Sequence, residues 1–248
     1  MSLPSIAAFE RAGLRAWPGI EIDWDGAWLR RSTNGYTKRA NSLQCFDLED
    51  GTDAEVRLEA GRHWFVSRGL PPVIRTTPMQ SPALTKALDA QNWRSIDASH
   101  LYAMPLGETV PDAGGKVLEP LDPAFLAAQQ HLQGYDAVTL DRLRALLVVM
   151  DAPAAGIVLY RDGAPVAAGL MAIADGIVIT GNVVTDPRHR RQGLAAAMMR
   201  IGLAWARDHG ALVAALNVQA DNQAAKALYA GLGYRRQYDY VYRIPRKP

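Results

Sequence analysis

Residues 183–200 read VVTDPRHRRQGLAAAMMR. A β-branched run reaches a Thr-Asp-Pro turn, passes Arg188, His189, Arg190 and Arg191, and continues without a break into an alanine-rich helix. Helix N-termini favour acids, because the dipole there is already positive. Four basic-type side chains at that end are locally unfavourable unless an anion is meant to arrive. Backbone N–H groups at a helix start form an anion site, and a glycine lets a ligand approach the main chain closely. Arg190-x-x-Gly193-x-Ala195 at a strand-to-helix turn therefore suits a pyrophosphate. The turn is not a P-loop, since no Gly-Lys-Ser/Thr follows. Nor is it a dinucleotide fingerprint, because the three-glycine spacing is missing and the strands before it form a meander. The same four side chains would also serve as a solvated basic corner.

The flanking sequence places this turn in a fold. Leu194, Met198, Ile201 and Trp205 recur at helical spacing, and Gly210 supplies the helix stop, so a helix is expected from about 194 to 209. Upstream, Asp162-Gly163 and Asp175-Gly176 separate Val/Ile/Ala runs, the strongest short-range hairpin signal, and imply a three-stranded antiparallel meander ending at Val184. Asp122-Pro123 caps a first helix, and Thr139 is read as the start of a second, with Leu140, Leu143 and Leu147 on one face. Downstream come a strand at 211–218, a helix from Asp221 or Asn222 to about Ala230, and a last strand at 238–244. The order α–α–β–β–β–α–β–α–β describes an α/β sandwich on a mixed sheet.

A faint internal repeat runs through the chain. The triplet Lys-Ala-Leu occurs at 86–88 and 226–228, an offset of 140, and Pro105 and Pro245 share that offset. The connector 107–120, GETVPDAGGKVLEP, lacks periodicity, so the boundary is placed there, giving units 1–112 and 113–248. The first unit carries 12 basic and 14 acidic side chains, the second 15 and 11. That surplus is too small, and too lacking in a reading module, to indicate nucleic-acid binding. One cysteine, Cys45, forbids internal disulfides, and the five histidines show no metal-ligand spacing. No stretch has the ~20 apolar residues of a membrane span, and no opening segment reads as a signal peptide. A cytoplasmic protein without metal is the expectation.

The segments VVTDPRHRRQGLA and NVQADNQAAKALYAGLGYRR together resemble the acyl-CoA motif and the asparagine/tyrosine helix of the GNAT superfamily of acyl-CoA-dependent N-acyltransferases. The resemblance covers about 116–248. The first unit, with GYTKRANS at 35–42, more loosely resembles the degenerate first module of tandem GNAT proteins. The implied fold is α/β (α+β), two tandem GNAT-like mixed-sheet sandwiches, and the implied cosubstrate is acetyl-CoA. The resemblance further implies that Val183, Val184 and Thr185 offer main-chain groups to the pantetheine arm. It gives the amides of Arg191, Gln192, Gly193, Leu194, Ala195 and Ala196 to the pyrophosphate, with the nearby arginines, Arg190 among them, adding charge. It also has Asn222 bond the pantetheine and Tyr229 give a proton to the departing thiolate. Asn222 and Tyr229, seven apart, share one helix face.

At the offset of 140, Asp50, Gly51, Asp53 and Glu55 stand where the basic turn should be, and Asp89 stands in place of Tyr229. Those carboxylates repel phosphate, so the first unit is expected to bind no CoA and to act structurally or as a wall of the acceptor site. Trp17, Asn34, Tyr36, Arg39 and Asn41 are candidates for that wall, and Tyr135 for an acceptor contact. Asn182 and Asn217 occupy positions where many relatives carry a catalytic Glu. The base is then a water chain, a carboxylate of the first unit such as Glu21 or Asp23, or absent. The expected partner is a small-molecule amine, with a homodimer left open. The rival reading is a non-catalytic acyl-CoA sensor or scaffold.

Overall fold

A computed structural model describes residues 2–246. In the first half, α1 (Ile6–Ala16) precedes an antiparallel meander of β1 (Glu21–Asp25), β2 (Trp28–Ser32) and β3 (Ser42–Cys45). Then come α2 (Ala54–Val66), β4 (Ile74–Thr76), α3 (Pro82–Ala90) and β5 (Arg94–Pro105). The second half opens with β6 (Gly115–Leu118), α4 (Pro123–Gln133) and α5 (Ala137–Val148). A second meander, β7 (Ala154–Arg161), β8 (Ala164–Ala174) and β9 (Ile177–Thr185), leads into α6 (Leu194–Asp208). The chain closes with β10 (Val213–Gln219), α7 (Gln223–Gly231) and β11 (Arg235–Ile244).

Local chemistry sets most of these boundaries. Asp162 and Gly163 have φ of 49° and 78°, and Asp175 and Gly176 have 52° and 73°, the paired left-handed residues that a tight right-twisted hairpin needs. Asp122 caps α4 through the Ala124 amide at 2.7 Å. The helix expected from Thr139 begins earlier, at Ala137, because Asp136 is the cap and accepts from the Thr139 amide at 2.7 Å. The connector also holds a strand the periodicity did not show. The four residues of β6 pair with β7 at the sheet edge, too short to display an alternation.

The two halves repeat one plan. Shifting by 140 carries Ala54, the first residue of α2, onto Leu194, the first residue of α6. The residues just before them, Asp53 and Gly193, are both left-handed, at φ of 52° and 76°. Both halves run from a meander through a helix into a strand parallel to the last meander strand.

All eleven strands join one mixed sheet in the order β1-β2-β3-β4-β11-β5-β10-β9-β8-β7-β6. The last strand of each half is exchanged. β5 lies between β10 and β11, pairing antiparallel with β10 from Val213↔Pro105 to Gln219↔Ser99. β11 in turn pairs with β4 through Val241↔Thr76 and Arg243↔Ile74.

Helices cover both faces. On one, α6 and α7 bury Met198, Leu203 and Tyr229 against Ile157, Met171 and Val218. On the other, α1 packs Phe9 against Leu101, Ile179 and Tyr238, and α4 and α5 pack Phe125 and Leu143 near Trp17. The seat of Phe125 requires a glycine beneath it, since a Cβ on Gly156 would lie 2.3 Å from its ring. Each such buried large side chain contributes roughly 1.5–3 kcal/mol.

Two features of β9 make room for a site. Its register with β8 changes from Leu170↔Gly181 to Ala168↔Val184, so Asn182 and Val183 oppose Gly169 alone, and Asn182 takes φ 50°. Its parallel pairing with β10 ends at Thr180↔Leu216, and beyond that point the two strands part.

Candidate active site at the strand fork

A cleft of about 560 Å³ opens on the α6 and α7 side where β9 and β10 part. Its walls are Val183, Val184 and Thr185 at the end of β9, the turn around Arg190, Arg191 and Gly193, the first turn of α6, and Asn222, Leu228 and Tyr229 of α7.

The turn is built around a carboxylate. Asp186, 4 % exposed, accepts from the Arg188 amide at 2.9 Å and pairs with the Arg188 guanidinium at 2.7 Å. Those contacts with Arg188 hold its carboxyl well below the usual carboxylate range. Arg188 is thereby neutralised, while Arg190 and Arg191 face the cleft without an ion pair among the described residues. Arg191, at φ 58°, and Gly193, at φ 76°, turn the chain into α6, and Gly193 provides no side-chain cap. The amides of Leu194, Ala195 and Ala196 find no protein acceptor among the described residues. Free amides at the positive end of a 15-residue helix, with two unpaired guanidinium groups beside them, form an anion cradle.

On the opposite wall, Asn222 caps α7 and accepts from the Ala225 amide at 3.0 Å, which leaves its Nδ2 to donate to a ligand. Tyr229 lies two turns along, 6 % exposed, its ring edge-on to Tyr234 at 5.9 Å. Burial pushes the Tyr229 phenol up to about 12, so it keeps its proton throughout the neutral range.

The fold thus brings Val183, Val184, Thr185, Arg190, Arg191, Gly193, Leu194, Ala195, Ala196, Asn222 and Tyr229 around one cleft. Gln192 lies between the lining residues Arg191 and Gly193, and only its side chain turns away from the cleft. Its side chain points to Arg161, whose Nη1 donates to Oε1 at 2.5 Å. The role of Asp186 was not anticipated, although an Asp before a Pro at a helical turn is a capping signal.

The other face of the fork is lined by both halves together. Tyr36 and Tyr135 hydroxyls lie 3.0 Å apart, Asn182 Nδ2 donates to the Tyr36 hydroxyl at 2.9 Å, and Trp17 packs on Tyr36 at 5.9 Å. Arg39 lies 5.2 Å from the Trp17 ring. Asn41, buried, shapes the loop from within by accepting from the Thr33 and Gly35 amides, whereas Asn34 is exposed. Glu21 and Asp23 are ruled out as the base. They lie on β1, the outermost strand of the first half, in ion pairs with Arg68 and Arg30, with five strands between them and β10. At the positions matching the cradle and Tyr229, Asp50 is bound by Arg57 at 2.6 Å and Asp89 by Arg243 at 2.5 Å.

A family model described as "Probable histone acetyltransferase Rv0428c C-terminal" matches residues 4–243. The chain is a GCN5-related N-acetyltransferase of that family. It is 24% identical over 250 residues to the uncharacterized N-acetyltransferase YobR of Bacillus subtilis (strain 168), covering 98% of this chain and 100% of YobR. Among solved structures, a GCN5-related N-acetyltransferase from Kribbella flavida superposes with a TM-score of 0.74 at 20% identity, covering 100% and 98% of the two chains. A tandem GNAT protein from the clavulanic acid biosynthesis pathway gives 0.64 at 14%, covering 97% and 87%. Both solved structures share the fold of this acyltransferase over nearly the whole chain. No helix among its described residues is long and apolar enough to cross a membrane.

Proposed function

We propose that this N-acetyltransferase has one working site per chain, the cleft at the β9/β10 fork, and moves an acetyl group from acetyl-CoA to the amine of a small molecule. The observation that carries the reading is the pairing, within one cleft, of unsatisfied helix-start amides with a buried, proton-bearing Tyr229. The amides of residues 194–196 and the guanidinium groups of Arg190 and Arg191 take the pyrophosphate. The end of β9, unpaired on its β10 side, offers main-chain groups to the pantetheine arm, as in strand addition, and Asn222 Nδ2 adds one donor.

The amine nitrogen forms a bond to the acetyl carbon while the carbon–sulfur bond breaks. The sulfur leaves as a thiolate whose conjugate acid has a pKa near ~8.5. With its pKa raised, Tyr229 first donates a hydrogen bond to that sulfur. It gives up the proton only as the cationic amine returns one through water. No carboxylate lines the cleft, so the nucleophile is amine already neutral in solution. The ion pairs of Asp50 and Asp89 support a single CoA site, since both occupy the positions a second site would use.

Calorimetric titration with acetyl-CoA tests this. One-to-one binding, with amine-dependent release of CoA thiol, is expected. Two sites per chain, or none, would overturn the reading. Binding without turnover on any amine would favour a sensor.

A further inference from the structure

We propose that the acceptor amine also carries a carboxylate, held by Arg39 and Asn217 on the face of the sheet opposite the cleft. The inference rests on the fork being the acetyl-transfer site. A pocket of about 330 Å³ opens at the end of β10, with Arg39, Asn217, Ser99, Tyr240 and Tyr242 among its walls. Asn217 is the first residue of β10 past the last pair with β9, so it stands at the mouth of the fork. Across the fork, a Cβ placed on Gly181 would lie 3.8 Å from Arg39 Nη1, which fixes the guanidinium at the same opening.

The charge around this opening does not balance. Arg31 and Arg75 lie beneath it with Arg39, lining a small cavity that Glu10 and Asn217 share. Glu10 is the one carboxylate there, and it is committed to Arg75, with further bonds from Gln44 and Tyr238. Arg31 donates to the Trp17 carbonyl at 2.8 Å, and burial together with the nearby Arg75 pushes it down to about 9. At the rim, Lys38 and Asp97 neutralise each other at 2.7 Å. Arg39 is left over.

Its Nη1 is buried without a hydrogen-bond partner, and so is the Asn217 Oδ1. Such orphans are rare in folded proteins. A half-turn of the Asn217 amide would present its NH₂ instead. A guanidinium and an amide that line the same pocket, each with polar capacity unused, suit a carboxylate. Among the described residues, Arg39 is the one unpaired cation that also lines the larger pocket, while Arg31 is committed to the Trp17 carbonyl beneath it, so the opening suits a monoanion such as a carboxylate. A polyamine or a lysine-rich peptide would have to bring more positive charge up to three arginines.

The test uses matched ligands on the full chain: α- and ω-amino acids, each beside its carboxamide. Two readouts are taken, the shift in unfolding temperature without acetyl-CoA and the release of CoA thiol with it. At least one amino acid should raise the unfolding temperature and be acetylated with kcat/KM about 100-fold above its carboxamide, while Arg39→Gln should erase the difference. Arg39→Lys, which keeps the charge, should stay folded and raise KM more than it lowers kcat. Carboxamides as good as the acids, no stabilisation by any acid, or a stabilising acid that is never acetylated would each overturn the proposal. Acetyl-CoA binding, measured alongside, reports on the cleft separately. Its loss would sink the transfer reading, whereas its presence without a preference for acids sinks only this one.

Discussion

The side-chain amide of Asn182 donates to the Tyr36 hydroxyl at 2.9 Å, tying the bulge of β9 to a loop of the other half. The same hydroxyl meets that of Tyr135 at 3.0 Å, so three segments distant in sequence converge on one oxygen. Tyr36→Phe keeps the ring on Trp17 and removes both bonds. Acceptor KM should rise about tenfold and stability fall by about 1 kcal/mol, with acetyl-CoA affinity unchanged. Steady-state kinetics and calorimetry check this, and weaker acetyl-CoA binding would contradict the placement of Tyr36 on the acceptor side.

Tyr229→Phe retains the buried ring and deletes the proton. Turnover should drop roughly 10²–10⁴-fold, the range of general acid catalysis, while acetyl-CoA affinity holds. An unchanged kcat would end the role assigned to this phenol.

Gly193→Asp attacks the cradle twice. Its backbone at φ 76° resists a side chain even though the space around a Cβ there is open, and a carboxylate would then face the phosphates. Binding of acetyl-CoA should weaken at least about 100-fold by calorimetry, whereas an unaltered affinity would place the phosphates elsewhere.

A fragment of residues 113–248 lacks β5 and leaves β10 and β11 without the strand that joins them. It should not give the dispersed amide spectrum of a folded domain. In the full chain, Leu101→Asp, at a β5 position 2 % exposed, should lower both halves in one cooperative transition by more than about 3 kcal/mol. Two separate melting steps would refute the coupling.

Alkaline pH gives another check. Burial raises Tyr229 and Tyr242 to about 12, above the ordinary phenol value near 10. Between those values the unfolded chain has lost protons that the native chain keeps. Their contribution is therefore complete below pH ~10 and declines as pH rises towards ~12, by up to about 1.4 kcal/mol per unit for each tyrosine. Urea titrations from pH 8 to 11 should show this fall. Over the same range kcat/KM should climb with the neutral fraction of the amine and not decline through Tyr229.

The parts that sequence disclosed were those whose partners lie nearby in the chain. The Asp-Gly hairpins, the Asp122 cap and the stripe of α6 each depend on a few consecutive residues. That residues 183–196 would form one strand–turn–helix wall was legible for the same reason, since they follow one another without interruption. The Gln192 side chain turns to Arg161, a neighbour only across the fold, and that pairing could not be read from the local sequence. Hydrophobic alternation in β5 and β11 says that each is a strand but not beside which strand it lies, so the exchange could not be seen. Arg39 and Asn217 line one pocket only because that shared sheet brings the first half over the fork.

The exchanged strands also impose an order on biosynthesis. β4 and β5 leave the ribosome long before residues 235–244, the strand that must fill the gap between them. Until then a nascent chain carries unpaired strand edges in its first half, the kind of surface that invites chaperones, proteases or a neighbouring polypeptide. A message that stopped before β11 would leave those edges open for good. The sheet of the first half is therefore completed only once β11 has been made.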